Sequence, residues 1–264
     1  MRRNKRQQQR ERDKAGIASE RKERRVEASS PMTLASIKPK TQAQGKTAKG
    51  FRAGKSLALH GVPGSGKTFM ALYLALEAVL HHRKYSQIVI YRSAVPSREI
   101  GHLPGSAAEK LAVYEEPYEI ICAELFGRND AYKKLKANGT IIFSSTSHVR
   151  GITLDHSVVI LDEVQNMSYH EHKSILSRFG NNTQAVLSGD YDQSDLGDGE
   201  EREGLWKTLA ICREMGDFEF VEFMPEDIVR SGFVKRFITK EYELRNLTKK
   251  QIEERGRSTI RTAT

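Results

Sequence analysis

The sequence predicts an α/β fold, a mostly parallel sheet with helices on both faces. Three observations lead there. From Phe51 onward, short apolar runs alternate with longer helical patterns, the order of strand–helix–strand units. One run, Ser157-Val158-Val159-Ile160-Leu161, is continuously apolar, as a strand covered on both faces must be. A glycine-rich loop, Gly61 to Gly66, separates the first run from an apolar helix.

Taken in order, Ser56-Leu57-Ala58-Leu59-His60 reads as a buried strand, and a helix is expected from Thr68 to about His82. Gln87-Ile88-Val89-Ile90-Tyr91 is rich in β-branched residues and reads as the second strand. Thr140-Ile141-Ile142-Phe143 is the third and Ser157–Leu161 the fourth. Gln184-Ala185-Val186-Leu187-Ser188 is the fifth and Phe218-Glu219-Phe220-Val221-Glu222-Phe223 the sixth. Helical patterns cover Glu109–Phe126, His170–Phe179 and Gly204–Met215. The stretch from Ser93 to Asn138 is too long for one crossover, so a helical insertion is expected there. No internal repeat is visible.

With 264 residues, 38% of them hydrophobic, the chain can build a sizeable core. No stretch reaches the ~18 uninterrupted apolar residues of a membrane span; Phe69 to Leu80 is broken by Tyr73 and Glu77. The opening Met1-Arg2-Arg3-Asn4-Lys5 leads into more charge, which is not a secretory leader. Two cysteines, Cys122 and Cys212, exclude a disulfide framework and a four-cysteine zinc site. A soluble, cytoplasmic protein without membrane contact is expected.

The net charge of +9 is unevenly placed: residues 1–50 hold 15 of the 43 Lys and Arg but 5 of the 34 Asp and Glu. Three segments follow: a basic, disordered arm over 1–31, a folded domain over 32–246, and a basic tail over 247–264. Such an arm can tether nucleic acid through phosphates. It can equally be a solvated tail or a helical arm used in assembly.

Gly61-Val62-Pro63-Gly64-Ser65-Gly66-Lys67-Thr68 matches the P-loop pattern G-x-x-x-x-G-K-[ST], with a strand before it and a helix after it, and Phe69 is counted with the nucleotide-binding residues. The glycines let successive N–H groups point inward at an anion. Lys67 can reach the β- and γ-phosphates, Thr68 offers a hydroxyl to Mg²⁺, and the helix aims its positive end at the phosphates.

The fourth strand ends in Asp162-Glu163. Carboxyl ends of neighbouring parallel strands share one edge, so this pair and the P-loop should face one crevice. There Asp162 would hold Mg²⁺ through water and Glu163 would act as base for the attacking water. The fifth strand runs into Ser188-Gly189-Asp190-Tyr191-Asp192-Gln193-Ser194-Asp195-Leu196. Its composition alone reads as a turn; an amide such as Gln193 could also sense a γ-phosphate.

These residues, with Tyr91-Arg92-Ser93-Ala94-Val95, Gly101-His102-Leu103-Pro104-Gly105, Arg150-Gly151-Ile152-Thr153-Leu154 and Glu226-Asp227-Ile228-Val229-Arg230, resemble the PhoH family. Its members are P-loop ATPases related to the first motor domain of superfamily-one helicases, and the resemblance runs from about Ile37 to Leu244. It implies a RecA-like P-loop NTPase fold with ATP and Mg²⁺ as cofactors. It also implies coupling to RNA or other nucleic acid, by unwinding or as a nucleotide-regulated adaptor with slow hydrolysis. Gln193 then resembles the phosphate-sensing glutamine, and Gln165 a residue coupling the acidic pair to nucleotide or nucleic acid. Arg230 resembles an arginine brought to the γ-phosphate, within the chain or from a neighbour; read alone, it is a surface arginine near a helix start. Gln44 resembles a glutamine that reads the adenine edge. Too few residues follow Gly204 for a second motor domain, so a homo-oligomeric ring, a hexamer, is implied. The compact form resembles phage-encoded members, which places it in a host cytoplasm.

The remaining readings are plain. His81, His82, His148, His156, His170 and His172 are expected at the surface or in clefts rather than on a metal. Trp206 is expected in the core. Ser144 to Ser147, with Arg150, either touches nucleic-acid phosphates or forms a polar loop.

Overall fold

A computed structural model of the chain describes residues 32–93, 107–146, 153–191 and 200–245, with Leu247 and Gln251. Among them are strands β1 (Ser56–Gly61), β2 (Gln87–Arg92), β3 (Ile141–Ser145), β4 (Ser157–Asp162), β5 (Gln184–Ser188) and β6 (Phe218–Phe223). The helices are α1 (Gln42–Arg52), α2 (Lys67–Leu76), α3 (Ala107–Phe126), α4 (Ala131–Ala137), α5 (Tyr169–Leu176), α6 (Glu200–Met215) and α7 (Gly232–Leu244). The strands form one sheet in the order β3-β2-β4-β5-β1-β6, every pair parallel.

The period-2 alternation of side chains splits each central strand between two apolar layers. Leu57, Leu59, Ile88, Ile90, Val158, Ile160 and Val186 face the layer that contains α2 and parts of α1, α3 and α4. Ala58, Val89, Tyr91, Val159, Leu161 and Leu187 face the layer under α5 and α6. β4 is buried along its whole length, whereas the edge strand β6 alternates buried and exposed positions. The continuously apolar run and the mixed one thus report their places in the sheet.

α2 continues past Leu76 into a π-helical turn, Glu77–His81, so the apolar pattern to about His82 is one helix with a widened end. The expected insertion consists of α3 and α4 within the described residues. α3 passes through Pro117, a residue that removes an intrahelical hydrogen bond.

α1, α4 and α7 carry no clear signal in the sequence. α1 contains Gly45 and Gly50 among polar residues; its stability comes from burying Ala43, Thr47, Ala48 and Phe51 and from the Thr41 hydroxyl capping Gln44 N–H at 3.3 Å. Gly50 lets this helix lie close to the sheet, since a β-carbon there would come 3.0 Å from Glu219 Cγ and 3.2 Å from Leu57 Cδ2.

Two expectations are corrected. Trp206 is 49% exposed and meets Tyr191 in a T-shaped contact with centroids 6.4 Å apart, because its α6 position turns away from the sheet. His172 is fully buried, because it lies on the inner face of α5 beneath α6. The arm 1–31, Gly101–Gly105, His148 and Arg150 and most of the tail lie outside the described residues.

Candidate nucleotide site

The P-loop takes its shape from backbone that only glycine adopts readily. Gly61, Gly64 and Gly66 have φ of 118°, 75° and 88°. At Gly61 the neighbour strand leaves no room at all: a β-carbon would lie 2.0 Å from Phe223 O, the carbonyl that accepts from Val62 N–H at 3.0 Å. Ser65 is buried and its hydroxyl donates to Val62 O at 2.8 Å, tying the loop across itself. Pro63 is half-buried, and Phe69 anchors the start of α2 against the core.

Lys67, in the first turn of α2, donates to the carbonyls of Gly61 at 2.7 Å and Val62 at 2.9 Å. Burial pushes its pKa down, while Asp190, Glu163 and Asp162 act the other way. The ammonium is therefore held within the loop by two carbonyls, at a helix start whose first N–H groups lack intrahelical partners.

Thr68 and Asp162 meet, the Thr68 hydroxyl donating to Asp162 Oδ1 at 2.9 Å. Asp162 is 2% exposed, and its Oδ2 accepts from the Tyr118 hydroxyl at 2.8 Å. Tyr118 belongs to α3, and nothing in the sequence singles it out. Arg92 ends β2 opposite Asp162 in register. Burial works against its charge, but Tyr118, Asp162 and Glu163 outweigh that and raise its pKa. Its strand-end position beside the acidic pair could have been read from the pairing of parallel strands.

Glu163 has φ of 54°, the left-handed region that a non-glycine residue enters at a cost of about 1–3 kcal/mol and that clusters at functional sites. Burial first, then the neighbouring Asp162 charge, raises its pKa; a hydrogen bond from Gln165 and the charges of Arg92 and Lys67 oppose this. Gln165 Nε2 donates to Glu163 Oε2 at 2.6 Å, and Gln165 Oε1 accepts from Asp190 N–H at 3.2 Å. One amide thus spans the ends of β4 and β5. Gly189 is required for this, since a β-carbon there would lie 2.2 Å from Gln165 Oε1.

Gln44 and Arg230 both lie at the P-loop. Gln44, 3% exposed, donates to Ser65 O at 3.0 Å and accepts from Lys40 N–H at 2.8 Å. Val229 N–H donates to Gly64 O at 3.1 Å, and a β-carbon on Gly64 would meet Arg230 Cγ at 2.9 Å. Asp227 ties the two segments, accepting from Ala43 N–H at 3.4 Å and Met224 N–H at 3.0 Å. Gln193 lies outside the described residues; its segment begins at Asp190 and Tyr191, the latter stacked on His60 at 4.9 Å.

His172 pins the loop that carries Glu163. Its Nε2 lies 3.1 Å from Val164 O and its Nδ1 3.1 Å from Thr208 Oγ1. Burial pushes its pKa from 6.5 down to about 4, so the ring is neutral and donates from Nε2 to the carbonyl. A depressed folded pKa means the unfolded chain binds the proton first. Stability should therefore fall as pH drops from 6.5 toward about 4, by about 3 kcal/mol in the limit. Denaturant melts across that window should show a shallower slope for His172→Gln than for the parent; parallel slopes would refute this.

The donor chemistry fits Mg²⁺. The Thr68 hydroxyl gives its hydrogen to Asp162 and keeps its lone pairs free, and Asp162 retains acceptor capacity for metal-bound water. Among the described residues no helix is long and apolar enough to cross a membrane.

A P-loop at the end of β1, facing an acidic pair two strands away in one parallel sheet, defines the class: an α/β P-loop nucleotide-binding protein. The chain belongs to the PhoH-like family, whose model, described as PhoH-like protein, matches residues 36–243. The PhoH-like protein of Mycobacterium leprae (strain TN) is 32% identical over 219 residues, covering 80% of this chain and 60% of the relative. Protein PhoH of Escherichia coli (strain K12) is 34% identical over 178 residues, covering 67% and 50%. The chain thus spans 50 to 60% of the length of these curated relatives. Among solved structures, the large terminase from a thermophilic bacteriophage is similar at TM-score 0.49 and 12% identity, over 78% of this chain and 50% of the terminase chain. The expected α/β fold with a parallel sheet holds, all six strands running parallel.

Proposed function

We propose that this protein binds ATP with Mg²⁺ and hydrolyses it, in a cycle coupled to RNA or another nucleic acid. The observation that carries the reading is the convergence of Lys67, Thr68, Asp162 and Glu163 on one sheet edge, with Thr68 already bonded to Asp162. On binding, phosphate oxygens would replace the Gly61 and Val62 carbonyls as partners of Lys67. Thr68 and, through water, Asp162 would hold Mg²⁺, which supplies charge neutralisation at the phosphates. Glu163, half-buried and oriented by Gln165, takes the proton of the attacking water. Its raised pKa makes it a stronger acceptor, while Lys67 and Arg92 favour its ionised form.

Arg230, whose Cγ lies beside Gly64 of its own P-loop, would add positive charge at the γ-phosphate, within its own chain or that of a neighbouring subunit. Gln193 would complete that side. Gln44 holds the Ser65 carbonyl, a position from which its segment can border the base.

Assembly as a homo-oligomer is supported by α7, where Phe233 is 71% and Phe237 65% exposed beside the nucleotide loop. A covered apolar face there is the expected subunit contact, with a hexameric ring as the proposed form. Nucleic-acid contact is supported by the basic arm.

The test is Mg-ATP turnover with and without single-stranded RNA, together with a strand-displacement assay. Turnover raised severalfold by RNA supports coupling, and unwinding would make the coupling mechanical. Turnover indifferent to RNA and to single-stranded DNA overturns the nucleic-acid half. No Mg-dependent hydrolysis overturns the whole.

A further inference from the structure

We infer that Tyr118, contributed by the inserted helix α3, is a positioning residue for the metal: its hydroxyl fixes the Asp162 carboxylate in the orientation that receives Mg²⁺. The inference rests on the proposed ATPase reading and adds to it a residue distant along the chain from every phosphate-binding motif.

Asp162 has two oxygens and two protein hydroxyl donors. Oδ1 takes the hydrogen of Thr68 at 2.9 Å and Oδ2 that of Tyr118 at 2.8 Å. A carboxylate 2% exposed depends on such donors to hold its charge in place. The two differ in kind. Thr68 is itself a metal-side group, so among the described residues Tyr118 is the hydroxyl donor that fixes the rotation of Asp162 independently of the metal. The phenol is well suited to this. Its ring is fully buried and packs against Phe143 with centroids 5.7 Å apart, so it has one position to donate from. Arg92, opposite Asp162 on β2, interacts with the same hydroxyl.

Partners of this kind orient ligating carboxylates, and their loss commonly weakens metal binding by about 10–100-fold. The geometry also makes α3 part of the nucleotide site: a shift of that helix moves the donor, and the donor moves the carboxylate.

Tyr118→Phe removes only the hydroxyl. ADP and ATP affinities would be measured by calorimetry across a Mg²⁺ titration, beside hydrolysis rates on the same samples. The expected result is an apparent Mg²⁺ requirement raised about 10-fold. Nucleotide affinity without metal, and the rate at saturating Mg²⁺, should stay within about twofold of the parent. Phe143→Leu loosens the ring packing and keeps the hydroxyl, so its Mg²⁺ requirement should rise less than that of Tyr118→Phe. An unchanged requirement in Tyr118→Phe overturns the inference, and so does an equal shift in Phe143→Leu, which would assign the effect to packing. If the parent shows no Mg²⁺-dependent nucleotide binding, it is the ATPase reading that fails, and the inference falls with it.

Discussion

Glu163→Gln is expected to bind Mg-ATP about as well as the parent and to hydrolyse it roughly 10²–10⁴-fold more slowly, the usual contribution of a positioned general base. The substitution keeps the shape of the side chain. An amide oxygen at 163 can still accept from Gln165 Nε2, so the bridge from Glu163 to Asp190 N–H should survive. What disappears is the proton acceptor. A second consequence follows from the sign of the pKa shift. The Glu163 carboxyl is harder to ionise in the fold than in the unfolded chain, because it is buried next to Asp162. Its charge near neutral pH therefore costs the fold stability, and neutral glutamine should raise the melting temperature slightly. Single-turnover rates, nucleotide titrations and melting curves on one preparation read all of this. A variant that turns over at the parental rate would remove Glu163 from the chemistry.

Lys67→Ala carries the other large effect. Its ammonium is held by two loop carbonyls at 2.7 and 2.9 Å and is partly desolvated, so a phosphate that takes over those bonds meets an unscreened charge. Loss of that charge should weaken ATP and ADP binding by at least about 10²-fold, equivalent to roughly 2.7 kcal/mol. The fold should remain, since water can reach the half-buried position and satisfy the freed carbonyls. Calorimetric titration with ADP gives the direct reading. Parental affinity would mean that the anion is held elsewhere.

The strands are legible in the sequence to within two residues at each end, because the central ones, buried on both faces, have to be apolar runs and the edge strand β6 alternates. Helices are less legible. α1 has two glycines and a polar surface, and forms because Phe51 and Ala48 find the core, a contact that no local window contains. Trp206 reads as core by its residue type, yet the turn of α6 sets it outward. The buried state of His172 likewise depends on α5 and α6 closing over it, with Thr208 some 36 positions away along the chain.

For the candidate site the division is similar. Local pattern alone specifies a phosphate loop and an acidic strand end, since glycine spacing dictates backbone shape and parallel strands share one carboxyl edge. Which side chains complete the site is decided by approaches across long separations: Tyr118 to Asp162 over 44 positions, Thr68 to Asp162 over 94, Gln44 to Ser65 over 21. Backbone preferences are short-ranged and can be read along the chain. Hydrogen bonds between distant residues exist only after the sheet has assembled, and only the tertiary structure reveals them.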